Sequence, residues 1–294
     1  MGRYKGFILI MAAGLCWSLT GLFGTFLFRS GISPLLVASV RVFITAILFF
    51  IFLFCKYRFR FFIPSRDLAL FAVFGWICVG LFNYFYLQAI NTLGISLAVI
   101  LLYTSPAFVI VLSAYFLGEA VTPLKIAVLL LTLLGVFGAV GGVASLQFQQ
   151  PVGGLLIGLG AGFTFSLLTI FSKYALKKYD HLIVVFYLTF FGALFLAFLE
   201  PPWLIWRYNL DVYAFLSLFA LILISTFLGY LFFVYGLKYL KAGKASIILT
   251  IEPLSAIFWA ALFFKEKLRP CQFTGAALII AAIILQNIRD VNGE

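Results

Sequence analysis

The feature that most constrains this chain is the length of its uncharged apolar stretches. No charged residue occurs between Asp67 and Glu119, a run of 51 residues, or between Lys125 and Lys173, a run of 47. A helix of 51 residues would be about 75 Å long, whereas the hydrocarbon core of a bilayer is about 30 Å thick. Each run must therefore contain two membrane-spanning helices, and the chain is predicted to be an integral membrane protein.

Ten helices account for the apolar sequence. The two long runs are predicted to break at Asn91–Gly94 and around Gln147–Pro151, where turn-forming residues interrupt the apolar pattern. The other predicted helices cover residues 6–28, 33–54, 182–199, 212–237, 244–264 and 270–288. The first of them has 23 residues, which is long for the apolar core of a signal peptide, so we expect it to be retained as helix 1.

The charged residues predict the orientation of these helices. Only 10% of the 294 residues are charged and 65% are hydrophobic, so no separate soluble domain is expected. The net charge of +11 does not indicate a nucleic-acid partner, because the basic residues flank the apolar spans. With the amino terminus inside, the predicted cytoplasmic segments hold 14 Lys and Arg residues and the outer segments hold 5. This bias predicts that both termini lie in the cytoplasm of a cell with a bacterial-type inner membrane.

Cysteine and histidine usage gives no sign of a metal or cofactor. The four cysteines are scattered and form no CxxC motif, and His181 is the single histidine of the chain. The sequence contains neither a cluster of acidic and histidine residues at bilayer depth nor a GxxxxGK[ST] motif. We therefore expect no metal, no cofactor and no enzymatic activity.

An internal repeat relates the two halves of the chain, residues 1–145 and 151–290. Under a shift of 147 residues, a Pro–Glu–Pro triplet recurs at the same spacing: Pro106, Glu119 and Pro123 in the first half, and Pro253, Glu266 and Pro270 in the second. Each half has five predicted spans, an odd number, so the halves must be oppositely oriented in the membrane. Inverted repeats are typical of transporters whose solute site lies near the membrane midplane.

The two halves, each with the Pro-x12-Glu-x3-Pro pattern followed by a helix rich in small residues, resemble the EamA type of the drug/metabolite transporter superfamily. The resemblance covers nearly the whole chain. It implies a ten-helix bundle whose central cavity is lined by helices 1–4 and 6–9, with helices 5 and 10 at the periphery. It also implies export of amino acids, other metabolites or toxic compounds without an ATPase domain.

Arg41 and Glu252 are the two charged residues deep inside predicted spans. Charges inside a membrane are costly and mark either function or a pair. Counted from the outer ends of their helices, the two lie at heights about 6 Å apart, so a direct ion pair is feasible. Two interpretations stay open: a structural ion pair, or a site in which the two side chains bind the opposite charges of a zwitterion.

Aromatic and polar residues on the cavity helices complete the predicted solute site. Buried Asn, Tyr and Trp side chains need polar partners, which a water-filled cavity supplies. The residues selected are Trp17, Asn83, Tyr84, Tyr103, Tyr187, Tyr230 and Trp259. Asn83 and Tyr230 are repeat equivalents under the shift of 147 residues, so we expect both to face one central space.

Prolines and small residues predict the shape of individual helices. Pro106 and Pro253 lie inside helices 4 and 9, where each removes a backbone donor and forms either a static kink or a flexing point for gating. Gly154, Gly158 and Gly162 form a small-residue face for close helix approach. Gly138 and Gly142 offer a second such face, within the chain or at a dimer contact. Glu119 and Glu266 are expected to have structural roles.

The sequence thus favours a secondary-active or facilitative transporter that exports a small metabolite by alternating access. One cation, one anion and aromatic walls suit an amino acid. The alternatives are a proton-coupled exporter of drugs or cations and, with less support, a channel. The expected partners are the solute and the lipid bilayer. Coupling to protons or to solute exchange, and a monomer or homodimer, stay open.

Overall fold

The computed structural model describes residues 2–58, 61–142, 151–265 and 268–291. All regular structure in this part of the chain is helical, which confirms the predicted all-α class. The helices are α1 (Gly2–Arg29), α2 (Pro34–Tyr57), α3 (Ser65–Leu93), α4 (Ile95–Leu102 and Ser105–Leu117), α5 (Pro123–Ala139), α6 (Val152–Ala175), α7 (His181–Leu199), α8 (Val212–Leu237), α9 (Ala242–Ile248 and Ile251–Phe264) and α10 (Pro270–Val291). A short 3-10 helix, Pro202–Arg207, joins α7 to α8.

Within the described residues, eight helices are long and apolar enough to cross a membrane and two are shorter. The shorter ones are α5, with 17 residues, and α10, whose apolar part is Pro270–Gln286. A full crossing takes about 20 residues. The ten predicted helices therefore all have counterparts in the structure, although the apolar part of the last helix in each half is shorter than a full crossing.

Polar caps and prolines fix where several helices begin. The Ser33 hydroxyl accepts a hydrogen bond from the Leu36 amide at 3.0 Å, and α2 then starts with proline. The Thr122 hydroxyl accepts from the Lys125 amide at 3.3 Å, and α5 also starts with proline. A side-chain acceptor followed by proline satisfies amides that have no partner within the helix, so the caps separate consecutive spans.

Of the two predicted breaks, one is confirmed in the structure. α3 ends at Leu93 and Gly94 has a φ of 80°, a left-handed conformation that favours glycine. For the second break, predicted around Gln147–Pro151, residues 143–150 lie outside the described part of the chain, and α6 begins directly after Pro151. Glu266 of the repeated triplet is also outside the described residues.

The two halves interlock through equivalent glycines. A Cβ built on Gly162 of α6 would lie 2.8 Å from the carbonyl oxygen of Leu101 in α4, and one built on Gly14 of α1 would lie 3.4 Å from that of Leu249 in α9. Gly14 and Gly162 are related by the shift of 148 residues at which α1 and α6 match. In each half, the first helix therefore packs closely on the broken helix of the other half.

The two short helices, α5 and α10, pack on each other. A Cβ on Gly138 would lie 3.0 Å from the Cys271 carbonyl oxygen, and one on Gly142 would lie 3.9 Å from the Cys271 Cβ. The small-residue face of α5 is thus already covered by α10 of the same chain. A dimer contact is not needed to explain it.

The equivalent parts of α4 and α9 are unequally packed. All seven residues of Ala242–Ile248 are buried, whereas in Ile95–Leu102 only Ala98 and Leu102 are buried. Glu119, which follows the far end of α4, bonds to the start of α9, so these two segments lie at opposite ends of the bundle. The bundle is therefore more tightly packed around the start of α9 than around the start of α4.

Glu119 connects the end of α4 to the start of α9. Its carboxylate accepts hydrogen bonds from the Ala242 amide at 2.6 Å and the Gly243 amide at 3.2 Å, at the start of α9. The Lys125 ammonium lies 3.6 Å from the same carboxylate. A carboxylate at a helix amino terminus satisfies free amides and interacts favourably with the helix dipole. Glu119 therefore has the structural role that the sequence predicts.

Candidate functional site

Arg41 lies in the middle of the bundle and is held by neutral groups. From α2, its Nη2 donates to the Asn83 Oδ1 in α3 at 2.7 Å, and its Nη1 donates to the Thr226 Oγ1 in α8 at 3.4 Å. The side chain therefore joins helices from both halves. Because neither acceptor is charged, these two hydrogen bonds do not neutralise the guanidinium.

The two acceptors are themselves bonded to their own helices. The Asn83 Nδ2 donates to the Val79 carbonyl oxygen at 2.7 Å, and the Thr226 hydroxyl donates to the Leu221 carbonyl oxygen at 2.9 Å. Both carbonyls belong to π-helical segments, Trp76–Leu81 of α3 and Leu221–Leu228 of α8. The two segments overlap under the repeat shift, and π-bulges are frequent at functional sites.

Glu252 carries the second charge deep among the helices, beside the break of α9. It lies close enough to Arg41, Tyr86 and Tyr103 for electrostatic interaction with each of them. None of the ion pairs within the described ranges joins Arg41 to Glu252. The direct pair that the estimated heights permitted is therefore not formed in this structure.

Both charged side chains also remain partly accessible. Arg41 and Glu252 are half-buried although they lie deep among the helices. Beside Glu252, the Tyr103 side chain is 4% exposed, and its hydroxyl lies within hydrogen-bonding range of the Glu252 carboxylate. Tyr103 therefore belongs to the surroundings of the two charges.

Aromatic side chains pack around Arg41 and Glu252, which together are called the charged centre below. The Trp17 ring lies 5.6 Å from Tyr230 and 5.8 Å from Phe165, both edge to face. Tyr230 lies within electrostatic range of Arg41. The Trp259 indole donates to the Ser18 hydroxyl at 2.9 Å. The structure thus brings Asn83 and Tyr230 to the same guanidinium, while Trp17 reaches the centre through Tyr230.

Two of the selected tyrosines lie away from the charged centre. The Tyr187 hydroxyl donates to the Phe61 carbonyl oxygen at 3.4 Å, and its ring packs 5.5 Å from Phe71. Tyr84 is half-buried and packs beside Phe85; none of its described contacts reaches Arg41 or Glu252. Both were selected as aromatic residues on helices that the family resemblance places at the cavity.

Tyr86 and Thr226 reach the centre without having been selected from the sequence. Tyr86 follows Asn83 by three residues and Thr226 precedes Tyr230 by four. Side chains three or four residues apart share one face of a helix. Helical spacing from the selected Asn83 and Tyr230 was therefore the signal that could have identified both residues.

Pro106 and Pro253 lie directly after the breaks of α4 and α9. The helical hydrogen bonding is interrupted at Tyr103–Thr104 and at Leu249–Thr250. At each break a threonine hydroxyl turns back on its own helix: Thr104 donates to the Leu101 carbonyl oxygen and Thr250 to that of Ile247, both at 2.6 Å. The prolines thus place Tyr103 and Glu252 at interruptions that face the centre of the bundle.

An apolar groove of about 170 Å³ lies elsewhere, between α2 and α7. The described residues that line it contribute no polar surface and include the exposed side chains of Ile47, Phe50, Phe190 and Leu194. Such a surface suits lipid chains and offers no group that recognises a polar solute. Among the described residues, no cluster of three or more His, Cys, Asp or Glu side chains could hold a metal ion.

Comparisons with known proteins agree with this architecture. Residues 4–141 and 152–288 each match the family model described as the EamA-like transporter family. A protein named "Uncharacterized transporter" from Archaeoglobus fulgidus is 31% identical over 222 residues, which cover 76% of each chain. "Uncharacterized transporter YoaV" from Bacillus subtilis is 27% identical and covers 86% of this chain and 87% of its own.

Two further similarities extend over nearly the full length. "Uncharacterized inner membrane transporter YicL" from Salmonella typhimurium is 24% identical over 292 residues, 96% of this chain and 94% of its own. A crystal structure of another protein superimposes with a TM-score of 0.81 at 18% identity and covers 99% of both chains. At that level of identity the match shows a shared fold.

Proposed function

Because the chain belongs to the EamA-like transporter family and is a multi-pass membrane protein, we propose that it exports small zwitterionic metabolites, first of all amino acids, by alternating access. The observation that carries this proposal is the pair of opposite charges at the centre of the bundle. Arg41 and Glu252 lie within electrostatic range of each other without forming an ion pair in the described part of the chain. A zwitterion between them would supply a carboxylate to one side chain and an ammonium group to the other.

The aromatic surroundings support an amphipathic solute. Trp17, Tyr86, Tyr103 and Tyr230 lie around the charged centre. Such rings provide apolar contact area, and the tyrosine hydroxyls can hydrogen-bond to a polar end group. We retain Trp259 as a neighbour of the site through Ser18, and we leave Tyr84 and Tyr187 out of the proposal.

The unequal packing of α4 and α9 supports alternating access. In an inverted repeat, the two halves could exchange conformations. The end of the bundle around the start of α9 would then open, and the end around the start of α4 would close. Glu119 and the buried segment Ala242–Ile248 hold one end together. Pro106 and Pro253, at the breaks of the two helices, would be the points at which the packing changes.

A second candidate function is proton-coupled export of drugs or other cations. The observation that favours it is Glu252, a buried carboxylate that can bind an ammonium group or a proton. This alternative gives Arg41 no role in solute binding. The two functions therefore differ in whether the solute needs a carboxylate.

Transport into proteoliposomes tests the proposal. We expect saturable uptake of radiolabelled L-leucine and L-phenylalanine, and much weaker uptake of their amides, which lack the carboxylate. Uptake of the amides without the amino acids would favour the cation exporter, and flux that does not saturate would favour a channel. Repeating the assay with an imposed pH gradient, or with unlabelled solute inside, distinguishes proton coupling from exchange.

The proposed orientation, with both termini cytoplasmic in the cell membrane, is tested by cysteine labelling of intact cells. In a variant without native cysteines, a cysteine at the exposed position Asn209 should react with an impermeant maleimide from outside. Tyr179 is a poor inner position, because it is half-buried and bonds to Asp67. The exposed Lys177 is the better inner position, and a cysteine there should react only after permeabilisation. The opposite labelling pattern would reverse the orientation.

A further inference from the structure

Arg41 uses only part of its hydrogen-bonding capacity. A guanidinium carries five N–H donors in a rigid planar fork. The hydrogen bonds described for Arg41 go to Asn83 and Thr226 and occupy two of these donors. Because the planar fork is held at both Nη atoms, its plane is fixed between α3 and α8.

The orientation of each acceptor is also fixed. The Asn83 Nδ2 is bonded to the Val79 carbonyl oxygen, so the amide oxygen must point to Arg41. If the amide were flipped, its NH₂ group would face the N–H of Arg41, and no hydrogen bond could form. The Thr226 hydroxyl gives its proton to the Leu221 carbonyl oxygen, so it can only accept from Arg41. Both side chains therefore present a lone pair to the guanidinium.

Both acceptors are anchored to π-helical segments. Thr226 bonds to a carbonyl five residues earlier, which is the spacing of a π-turn. Asn83 bonds to the carbonyl of Val79, four residues earlier and within the other π-helical segment. The two segments occupy overlapping positions in the repeat, so each half holds one acceptor at a carbonyl of its own π-helical segment.

We propose that Asn83 and Thr226 are positioning residues that hold the Arg41 fork so that its remaining N–H groups can receive the carboxylate of the solute. This inference rests on the proposed function, because it assumes that Arg41 binds the solute. It assigns Asn83 an indirect role in place of the direct solute contact predicted from the sequence. It also makes the preference for a carboxylate depend on two neutral side chains.

Substitutions at position 83 give the sharpest test. In Asn83→Asp, a carboxylate would pair with Arg41 and compete with that of the solute. We expect L-leucine affinity to fall by more than about tenfold, while the melting temperature of the purified protein is unchanged or higher. Asn83→Ala should weaken L-leucine binding about tenfold through loss of orientation. The matched control is Asn91→Asp, which changes an exposed asparagine on the same helix and should bind normally.

Position 226 provides an independent variant. Thr226→Val keeps the shape of the side chain but removes the acceptor, and we expect a loss of about three- to tenfold in L-leucine affinity. Thr226→Ser should restore binding. The control is Thr189→Val, because Thr189 is fully buried and its described hydrogen bonds go only to Val185 and Phe186 of its own helix.

The ratio of affinities for L-leucine and L-leucinamide separates positioning from a general structural role. Loss of positioning should lower L-leucine affinity and leave that of the amide nearly unchanged. In the Arg41→Ala background, Asn83→Ala should cause no further loss. Equal losses for both probes, or normal L-leucine binding by Asn83→Ala and Thr226→Val, would overturn the inference and leave the proposed function intact. Normal L-leucine binding by Arg41→Ala, or no binding of L-leucine by the wild-type protein, would overturn both.

Discussion

Arg41→Ala and Glu252→Ala are each expected to weaken binding of a zwitterionic solute by about 1.5–3 kcal/mol, which corresponds to about 10- to 150-fold in affinity. Each variant removes one hydrogen-bonding charge that would contact the solute. The measurements are L-leucine affinity, uptake into proteoliposomes and the melting temperature for the wild-type protein, both single variants and the double variant. The double variant should remain folded and lose transport.

A purely structural role for the two charges would give a different pattern. Each single variant would then leave one buried charge without compensation and destabilise the protein by about 3–5 kcal/mol. The double variant would regain both stability and transport. Near-normal uptake by a stable double variant would refute the zwitterion site. Asn83 and Thr226 already bond to Arg41, so we expect Glu252→Ala to affect the melting temperature less than a broken ion pair would.

Gly275→Ala is expected to destabilise the protein by about 3 kcal/mol, the upper part of the range for overpacking a tightly packed contact. A Cβ at this position would lie 2.6 Å from the Gly135 carbonyl oxygen and closer still to the backbone of Gly138 and Ala139. Backbone atoms cannot rotate away as a side chain can, so α10 would have to move off α5. The measurement is the apparent melting temperature in detergent.

Gly21→Ala is the matched control for this substitution. None of the described residues places an atom within 4 Å of a Cβ built on Gly21, which is in the interior of α1. Alanine is favoured over glycine in a helix by about 1 kcal/mol, so this variant should melt at the same temperature or higher. If Gly275→Ala melted like the wild-type protein, the close packing of α5 on α10 would be wrong.

The spans could be predicted because the bilayer allows few alternatives. An uncharged run of 51 residues has to turn back once, and Gly94 is where it does so. The repeat also located the broken helices, because a proline inside a helix must interrupt its hydrogen bonding wherever it occurs. These predictions depend on local chemistry, which the sequence contains, and on bilayer thickness, which is nearly the same for most membranes.

Contacts between helices could not be predicted in the same way. That Arg41 meets Asn83 and Thr226, and does not pair with Glu252, depends on how α2 is rotated between α3 and α8. Residue counts give the axial height of a side chain but not the rotation of its helix about the axis. Rotation also separates Tyr86, which lies near Arg41 and Glu252, from Tyr84, which packs beside Phe85. Residue type alone cannot separate Tyr187, packed against Phe71, from a tyrosine at the centre.

The carboxylate of Glu119 favours the present conformer over one in which the bundle is open at the start of α9. Each hydrogen bond between a charged group and an amide contributes about 1.5–3 kcal/mol, and Glu119 makes two of them to the start of α9. If opening breaks both bonds without replacing them, the open conformer is about 10²- to 10⁴-fold rarer than it would be without these bonds. In the proposed cycle, a solute can populate that conformer only by binding it more tightly by a comparable factor. The occupied and empty protein would then differ chiefly in how often this end opens.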